Sequence, residues 1–322
     1  MVTLADVLAA RQAIAPHIER TPLLHSAALS ATTGAEVYLK LECWQRTGSF
    51  KIRGALNKLG SLPAEARLRG VVTASAGNHG LGVAYASHVL GGPRATIFVP
   101  ENAAATKVQQ LAAFDCDVRR AGANYDAAHA IAEAYAHEQG ATYLSAYDDP
   151  VVVAGQGTVG LEIMEELPDA DILLVPVGGG GLAAGISVAA KAIKPKVRIH
   201  GVQPEASPSA FLSLRDGQAH ETYSAGPTIC DGLAGGFGRL PFEIARELVE
   251  GVQVVSEEDV RLAVAWLVAR EHLITEGSAA IAIAPLLAGM LDASGQKVVA
   301  VLTGRNIDIH LLIAILQEYA EP

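Results

Sequence analysis

The chain has 322 residues, of which 50% are hydrophobic and 18% are charged. This composition supports a large buried core in one or two domains and excludes a disordered chain. The formal net charge of −10 is spread along the sequence without a basic stripe, so nucleic acid is not an expected partner. Cys43, Cys116 and Cys230 are odd in number and widely spaced, so neither a disulfide framework nor a cysteine zinc site is expected.

The sequence gives no sign of secretion or membrane insertion. Asp6 and Arg11 interrupt the N-terminal apolar stretch, which therefore lacks the core of a signal peptide. The longest apolar run, residues 279–291, contains Pro285 and is too short to cross a bilayer. We therefore expect a cytoplasmic protein with no membrane partner.

Short strand patterns alternate with alanine-rich helical patterns along the chain. We predict strands over residues 71–74, 95–99, 142–145, 171–177, 197–202 and 298–302. We predict helices over residues 80–89, 103–114, 125–139, 156–166, 182–193, 257–271 and 279–291. This alternation predicts an α/β fold with open, doubly wound, mostly parallel sheets. Residues 204–242 are rich in Ser, Gly and Pro, and we expect them to form loops near a cleft.

Lys51 directly follows Phe50 in the run from Gly48 to Gly54, near the start of a helical pattern. A lysine packed against an aromatic ring is desolvated, which lowers its pKa and makes the amine available to bond a carbonyl compound. Taken alone, a lysine in this setting is more often a structural or surface residue. The chemical interpretation depends on the motifs that follow.

A serine- and glycine-rich turn follows the predicted strand at residues 71–74 and opens a helix. Its backbone N–H groups, with the side chains of Ser75 and Asn78, can converge on an anion such as a carboxylate. The structural alternative is that Ser75 only caps the helix. His79, taken alone, is most often a hydrogen-bonded structural group.

Four consecutive glycines, from Gly178 to Gly181, follow the predicted strand at residues 171–177 and precede another helix. Their unshielded amides at a positive helix end suit a phosphate group. A dinucleotide fingerprint also fits loosely between Gly178 and Ala183, but the next strand ends near Gln203, where a ribose-binding acid is wanted. We favour a phosphate site, with nicotinamide binding or pure packing as alternatives.

The last predicted strand runs into Thr303, Gly304, Arg305 and Asn306. The threonine hydroxyl either satisfies local backbone groups or holds a ring nitrogen of a ligand. With this motif the set is complete. The lysine run, the Ser75 turn, the tetraglycine turn and the terminal motif, in this order, resemble the fold type II pyridoxal-phosphate enzymes, specifically their threonine/serine dehydratase and serine racemase branch. The resemblance extends from about Thr21 to Asn306 and covers nearly the whole chain.

The resemblance implies a tryptophan synthase β-like fold with pyridoxal 5′-phosphate between two domains. The small domain would be residues 46–147, and the large domain residues 1–45 and 148–322. Lys51 and Ser75 would be catalytic, with Lys51 holding the cofactor covalently and then removing the substrate's α-proton. Cofactor contacts are implied for Phe50, Lys51, Asn78, Gly178, Gly179, Gly180, Gly181, Gly232, Glu276 and Thr303. The substrate carboxylate would bind to Ser75, Asn78 and His79, beside the loop around Asp231.

Departures from the family pattern narrow the choice of reaction. Ala76 stands where racemases carry a second serine, so we expect dehydration and not racemisation. Gln203, Ser207 and Ser209 stand where metal-activated relatives keep acidic ligands, so we expect no metal site, although Glu205 is close enough to substitute.

The expected function is the elimination of water from L-threonine or L-serine, which gives a 2-oxo acid and ammonia. The resemblance also suggests a homodimer. One alternative is a dehydratase for another 3-hydroxy amino acid, such as 3-hydroxyaspartate, phenylserine or a hydroxyectoine-derived compound, and a second is a serine racemase. From a different class, a pyridoxal-phosphate- or nucleotide-binding protein without turnover stays open.

Overall fold

Two separate β-sheets organise the chain in the computed structural model, which describes residues 2–92, 94–103 and 105–319. The strands are β1 (Leu23–His25), β2 (Glu36–Lys40), β3 (Val71–Ala74), β4 (Ala95–Val99), β5 (Cys116–Arg120), β6 (Thr142–Tyr143), β7 (Ile172–Pro176), β8 (Arg198–Pro204), β9 (Gly251–Val255) and β10 (Lys297–Val301). The helices are α1 (Leu4–Ile14), α2 (Ala27–Thr33), α3 (Lys51–Ser61), α4 (Ala64–Arg69), α5 (Asn78–Val89), α6 (Ala105–Leu111), α7 (Tyr125–Gln139), α8 (Pro150–Glu166), α9 (Gly181–Ile193), α10 (Ser209–Asp216), α11 (Arg239–Leu248), α12 (Glu257–Trp266), α13 (Gly277–Ala280), α14 (Ala284–Leu287) and α15 (Ile309–Glu318).

The larger sheet has the order β1-β2-β10-β7-β8-β9 and the smaller one β5-β4-β3-β6. In the described part of the chain, β1 is antiparallel to β2 and every other pairing between these ten strands is parallel. The predicted α/β fold with mostly parallel sheets is therefore confirmed. The strands of the smaller sheet lie between Val71 and Tyr143, inside the range expected for a small domain. The domain boundaries themselves stay a prediction.

Both faces of the larger sheet are covered. Leu174 and Ala300 belong to one buried cluster, which includes side chains of α12 and α15, whereas their chain neighbours Leu173 and Val299 belong to another, which includes side chains of α8 and α9. This division follows from the period of two in a β-strand, which sends neighbouring side chains to opposite faces. No helix in the described ranges is long and apolar enough to cross a membrane.

Some predicted elements were wrong or incomplete. Residues 279–291 do not form one helix but contribute to the short helices α13 and α14, because Pro285 has no N–H and restarts the helix as one of its first residues. The segment 204–242 is not all loop, since it contains α10. Helix α12 continues as a π-helical turn over Leu267–Glu271. The strands β1, β2, β5 and β9 were not predicted.

Helix α3, which begins at Lys51, crosses α8 with the two backbones in contact. A Cβ on Gly155 would lie 2.7 Å from the carbonyl oxygen of Arg53 and 2.8 Å from Cα of Gly54. On another side, a Cβ on Gly82 of α5 would lie 3.1 Å from the carbonyl carbon of Lys51. Glycine at these positions therefore lets α5 and α8 hold the first turn of α3 between them.

Four buried charges also anchor α3. Arg53 Nε and Nη2 donate to the Glu42 carboxylate, each at 2.8 Å. Its Nη1 and Nη2 donate to Glu162 at 2.7 and 3.0 Å, and Nη1 also donates to the Thr158 hydroxyl at 3.1 Å. Lys40 Nζ lies 2.7 Å from Glu162 and balances the second negative charge. All five guanidinium N–H donors are thus used, as a fully buried arginine requires.

Candidate active site

A cavity of about 870 Å³ opens at the carboxyl ends of β3, β7 and β10. Ligand sites in open parallel sheets form at this edge. The cavity is lined by every site residue expected from the sequence: Phe50, Lys51, Ser75, Asn78, His79, Gly178, Gly179, Gly180, Gly181, Asp231, Gly232, Glu276 and Thr303. The structure therefore brings the predicted residues together, and the atoms that each of them binds stay a prediction.

Lys51 is the first residue of α3, and its amine faces few polar groups. Nζ donates to the Ala146 carbonyl oxygen at 3.3 Å and lies 5.1 Å from the centroid of the Phe50 ring. Burial lowers the pKa of Lys51 to about 8, against the opposing effect of the Glu276 charge. The ordinary value is 10.5. Near neutral pH the neutral, nucleophilic fraction is therefore roughly two orders of magnitude larger than for a surface lysine.

Ser75 is not the cap of α5, because the helix begins after Gly77. Its hydroxyl oxygen accepts a hydrogen bond from Gly77 N–H at 3.2 Å, which leaves the hydroxyl hydrogen to donate to a ligand. The first N–H groups of a helix have no partner within it, so the start of α5 adds further donors for an anion.

His79 is buried in the first turn of α5, and its ring Nε2 donates to the Leu144 carbonyl oxygen at 3.0 Å. Burial and the nearby Lys51 charge lower the pKa of His79 to about 3. The ring is therefore neutral at physiological pH. The one N–H of the neutral ring is already used on Leu144, so any hold on a substrate carboxylate at this position comes from the backbone N–H and not from the imidazole.

The tetraglycine turn packs too tightly to accept side chains. A Cβ on Gly179 would overlap the Tyr147 ring, and one on Gly181 would lie 2.9 Å from the Tyr147 Cα. Gly180 caps α9 with φ +93°, in the left-handed region that favours glycine, and a Cβ there would overlap the Phe237 ring. The turn thus exposes backbone amides at the N-terminus of a 13-residue helix.

Asn78, Glu276 and Thr303 form the wall of the cavity beside Lys51. Asn78 Nδ2 donates to Glu276 Oε1 at 2.7 Å. Thr303 is buried, and its hydroxyl lies 3.2 Å from the Ser278 carbonyl oxygen. Ser278 Oγ accepts from Gly232 N–H at 3.0 Å, so the strip after β10 is tied to the loop that carries Asp231.

The side chain of Gln203, where relatives keep a metal-binding acid, is bonded at both ends. Nε2 donates to the Val177 carbonyl at 3.1 Å, and Oε1 accepts from the N–H groups of Ala210 and Phe211 at 2.9 and 3.0 Å. Across the described ranges, no group of three or more His, Cys, Asp or Glu side chains could hold a metal ion. Metal independence stays a prediction.

Sequence reasoning missed several residues that line the cavity. Tyr147 lies between Gly179 and Gly238, since a Cβ on Gly238 would fall 2.9 Å from its Cδ2 atom. Further walls come from Asn124, Tyr125 and His129 and from the loop at residues 221–225. Tyr147 and Asn124 follow β6 and β5, so the rule that ligands gather at strand ends was the available signal. The loop at residues 221–225 carries no such signal.

The residues present fit pyridoxal phosphate. The tetraglycine turn has donors and space for a phosphate, Lys51 offers an amine of lowered pKa, and Phe50 offers an apolar surface. Thr303 supplies a neutral hydroxyl at the end of β10. This combination of a phosphate site and a reactive amine in one cavity is what a phosphorylated aldehyde cofactor requires.

Known proteins resemble this chain over nearly its whole length. The family model described as pyridoxal-phosphate dependent enzyme matches residues 14–304. L-threonine ammonia-lyase of Thermotoga maritima is 43% identical over 319 residues, which is 99% of this chain and 79% of that protein. The processed form of threonine deaminase isoform 2 from Solanum lycopersicum has a TM-score of 0.93 and 34% identity, and the match covers 98% of this chain and 92% of that one.

A serine racemase is also similar. The maize enzyme has a TM-score of 0.91 and 31% identity, and the match covers 99% of this chain and 98% of the racemase. The predicted fold type, family and cofactor are confirmed by these similarities. The chain belongs to the family of pyridoxal-phosphate dependent enzymes.

Proposed function

We propose that this protein is an L-threonine ammonia-lyase, which converts L-threonine to a 2-oxo acid and ammonia. The observation that carries the proposal is Lys51, an amine with a pKa of about 8 in a cavity that also holds the tetraglycine turn. The lyase class expected from the sequence is confirmed by the similarity to L-threonine ammonia-lyase of Thermotoga maritima at 43% identity. The choice of threonine over serine rests on the same relative.

The positions of these residues in the cavity support the following roles. The N–H groups of the tetraglycine turn would bind the phosphate, Thr303 would meet the ring nitrogen, and Asn78 would donate to the hydroxyl oxygen on the ring. Ser75 and the start of α5 bind the carboxylate and orient the α-hydrogen. When bound, pyridoxal phosphate draws electron density away from the α-carbon of an attached amino acid.

Lys51 supplies the proton transfer. In its neutral form the amine accepts the α-hydrogen, and the carboxylate of Glu276 lies near enough to influence its charge. The β-hydroxyl group then takes up a proton and leaves as water. A later addition of water releases ammonia. Threonine is thus converted to a 2-oxo acid and ammonia with no net gain or loss of water.

Serine racemisation is the second candidate, because the maize serine racemase shares the fold at 31% identity. Ala76 lines the cavity between Ser75 and Gly77 and has no hydroxyl group to donate a proton. This absence favours elimination. Dehydration of a larger 3-hydroxy amino acid is the third candidate, since the cavity has a volume of about 870 Å³ in all and the loop at residues 221–225 contributes to its lining.

Two further properties remain proposals. A homodimer and a cytoplasmic location both rest on the family resemblance and on the sequence composition. Sedimentation at micromolar concentration tests the first of these directly.

The decisive experiment is a substrate panel with the purified protein and added pyridoxal phosphate. Release of 2-oxo acid and ammonia is measured for L-threonine, L-serine, D-serine, 3-hydroxyaspartate and phenylserine. We expect the highest kcat/KM for L-threonine. A higher value for another compound would reassign the substrate. A yellow protein that turns over none of these compounds would support a pyridoxal-phosphate-binding protein without enzymatic activity. A colourless protein that binds nucleotides would overturn the cofactor assignment as well.

A further inference from the structure

Three of the sequence motifs meet at a residue to which the reaction assigns no role, Asn306. The terminal motif runs antiparallel to the segment before Lys51: Phe50 N–H donates to the Thr303 carbonyl at 3.1 Å, and Arg305 N–H donates to the Gly48 carbonyl at 2.9 Å. Ser49 and Gly304 form an isolated bridge between these hydrogen bonds. The side chain of Asn306 therefore reaches the loop that leads into the catalytic lysine.

The Asn306 amide donates two hydrogen bonds. Nδ2 lies 2.9 Å from the Thr47 carbonyl oxygen and 2.7 Å from Asn78 Oδ1. Gly48 makes room for this amide, because a Cβ there would lie 3.1 Å from both Cγ and Nδ2 of Asn306. The φ of Gly48 is +76°, which disfavours other residues on conformational grounds too. The glycine of the lysine motif and the asparagine of the terminal motif are thus parts of one contact.

The orientation of both amides follows from the groups at the two ends of the chain of hydrogen bonds. The Thr47 carbonyl only accepts, so Nδ2 of Asn306 must face it, and the second hydrogen of that nitrogen must meet an acceptor on Asn78. At the other end, the Glu276 carboxylate accepts and therefore faces Asn78 Nδ2. Both ends require the same orientation, with Asn78 oxygen toward Asn306 and Asn78 nitrogen toward Glu276.

This orientation decides what Asn78 presents to a ligand. Glu276 uses one hydrogen of the Asn78 amide, and the second is left for an acceptor in the cavity that Asn78 lines. If the amide were turned by 180°, its oxygen would replace the nitrogen, and an oxygen atom of the ligand would meet an acceptor instead of a donor. An amide with only one anchored end turns far more readily than one anchored at both.

We propose that Asn306 is a positioning residue. It holds the Asn78 amide so that an Asn78 N–H is available to the hydroxyl oxygen on the pyridine ring of pyridoxal phosphate. This proposal rests on the part given to Asn78 in the proposed function. Asn306 acts through Asn78 and does not touch the cofactor. It also fixes the Thr47 carbonyl, and so couples the donor to the loop before Lys51.

A double-mutant cycle tests the coupling, with cofactor binding as the readout and no substrate present. The variants are Asn306→Ala, Asn78→Ala and the pair, and His310→Ala, on the exposed start of α15, is the control. The dissociation constant of pyridoxal phosphate and the pH dependence of its visible absorbance are measured for each. We expect Asn306→Ala to weaken binding roughly tenfold, as expected for one lost hydrogen bond, and to have less than about a twofold effect when Asn78 is already alanine.

An equal loss of pyridoxal phosphate affinity from Asn306→Ala in the wild-type and Asn78→Ala backgrounds, or no loss in either, would overturn the proposal. If Asn306→Ala does not fold, Asn306→Asp carries the same cycle, since it keeps the shape but cannot donate to Thr47 or Asn78. Because no substrate is used, the result stands even if threonine is not the substrate, whereas a wild-type protein without a visible band would contradict the cofactor assignment itself.

Discussion

Arg53 on α3 and Glu162 on α8 share two hydrogen bonds inside the protein, with Nη1 2.7 Å from Oε1 and Nη2 3.0 Å from Oε2. Burial alone would lower the pKa of Arg53, but the charges of Glu42 and Glu162 raise it. Burial alone would raise the pKa of Glu162, but the charges of Arg53 and Lys40 lower it. Arg53 lies two residues after Lys51, so its ion pair with Glu162 fixes the helix turn that carries the Lys51 amine.

We expect Arg53→Met to destabilise the fold by about 3–5 kcal/mol, because it leaves two carboxylates buried with only Lys40 to balance them. Chemical denaturation of the apo and cofactor-bound protein measures the loss. Lys297→Met is the matched control, since it removes a cation from a partly exposed pair with Asp169. It should cause a much smaller loss, because exposed pairs contribute little. Equal losses of stability in the two variants would show that the buried Arg53 pair stabilises the fold no more than the partly exposed pair does.

The sequence was most informative where one strand leads directly into one turn. The strands β3 and β7 were predicted because each is an apolar run that ends at a glycine-rich turn, and both turns line the cavity. The strand β5, which reads Cys-Asp-Val-Arg-Arg, was missed because an edge strand carries charges that hide its pattern. β1 was missed because it has only three residues.

Contacts between distant parts of the chain lay beyond sequence reasoning. Asn306 and Asn78 are 228 positions apart, and their hydrogen bond depends on how the two sheets meet. The Tyr147 ring packs against Gly179 for the same reason. Periodicity reports which face of an element is buried but not which element covers it. The motifs predicted residues that line the cavity, whereas the contacts that anchor them to one another depend on how distant segments pack.

Lys51→Ala should reduce turnover of the best substrate below about one per cent of wild type, because the variant loses the nucleophile and the base together. The visible absorbance of bound cofactor should shift or vanish while the circular dichroism spectrum is unchanged. Lys196→Ala, on the exposed surface, is the control and should behave as wild type. A residual rate above about one per cent would contradict the role of Lys51.

Ser75→Ala should impair substrate use far more than cofactor binding. The lost hydrogen bond to a carboxylate is worth about 1.5–3 kcal/mol, which corresponds to roughly a 10- to 150-fold fall in kcat/KM. Steady-state kinetics with L-threonine and a titration of pyridoxal phosphate separate the two effects. Ser61→Ala, at the exposed end of α3, should change neither quantity. An unchanged kcat/KM in Ser75→Ala would show that the hydroxyl only braces its own turn through Gly77.

Activity should not depend on a divalent cation. The Gln203 amide already links the Val177 carbonyl to the start of α10, so the position next to the tetraglycine turn is held by hydrogen bonds. Prolonged treatment with a chelator, followed by an assay in metal-free buffer, should leave the rate unchanged. A loss that magnesium or calcium restores would reveal a site, with the nearby Glu205 carboxylate as its first candidate ligand.

The protein should release keto acid from one enantiomer and form negligible D-isomer. Inversion requires an acid that returns a proton to the α-carbon from the face opposite Lys51, and the family resemblance places Ala76 there without a hydroxyl group. The resemblance also places Thr303 at the ring nitrogen, where a neutral hydroxyl would not protonate the ring and would favour rapid departure of the β-hydroxyl over reprotonation. Ala76→Ser should therefore raise racemisation relative to elimination. Chiral chromatography of L-serine incubated with each protein measures both products. D-serine that accumulates beside pyruvate in the wild type would overturn both the role of Ala76 and the choice of a lyase over a racemase.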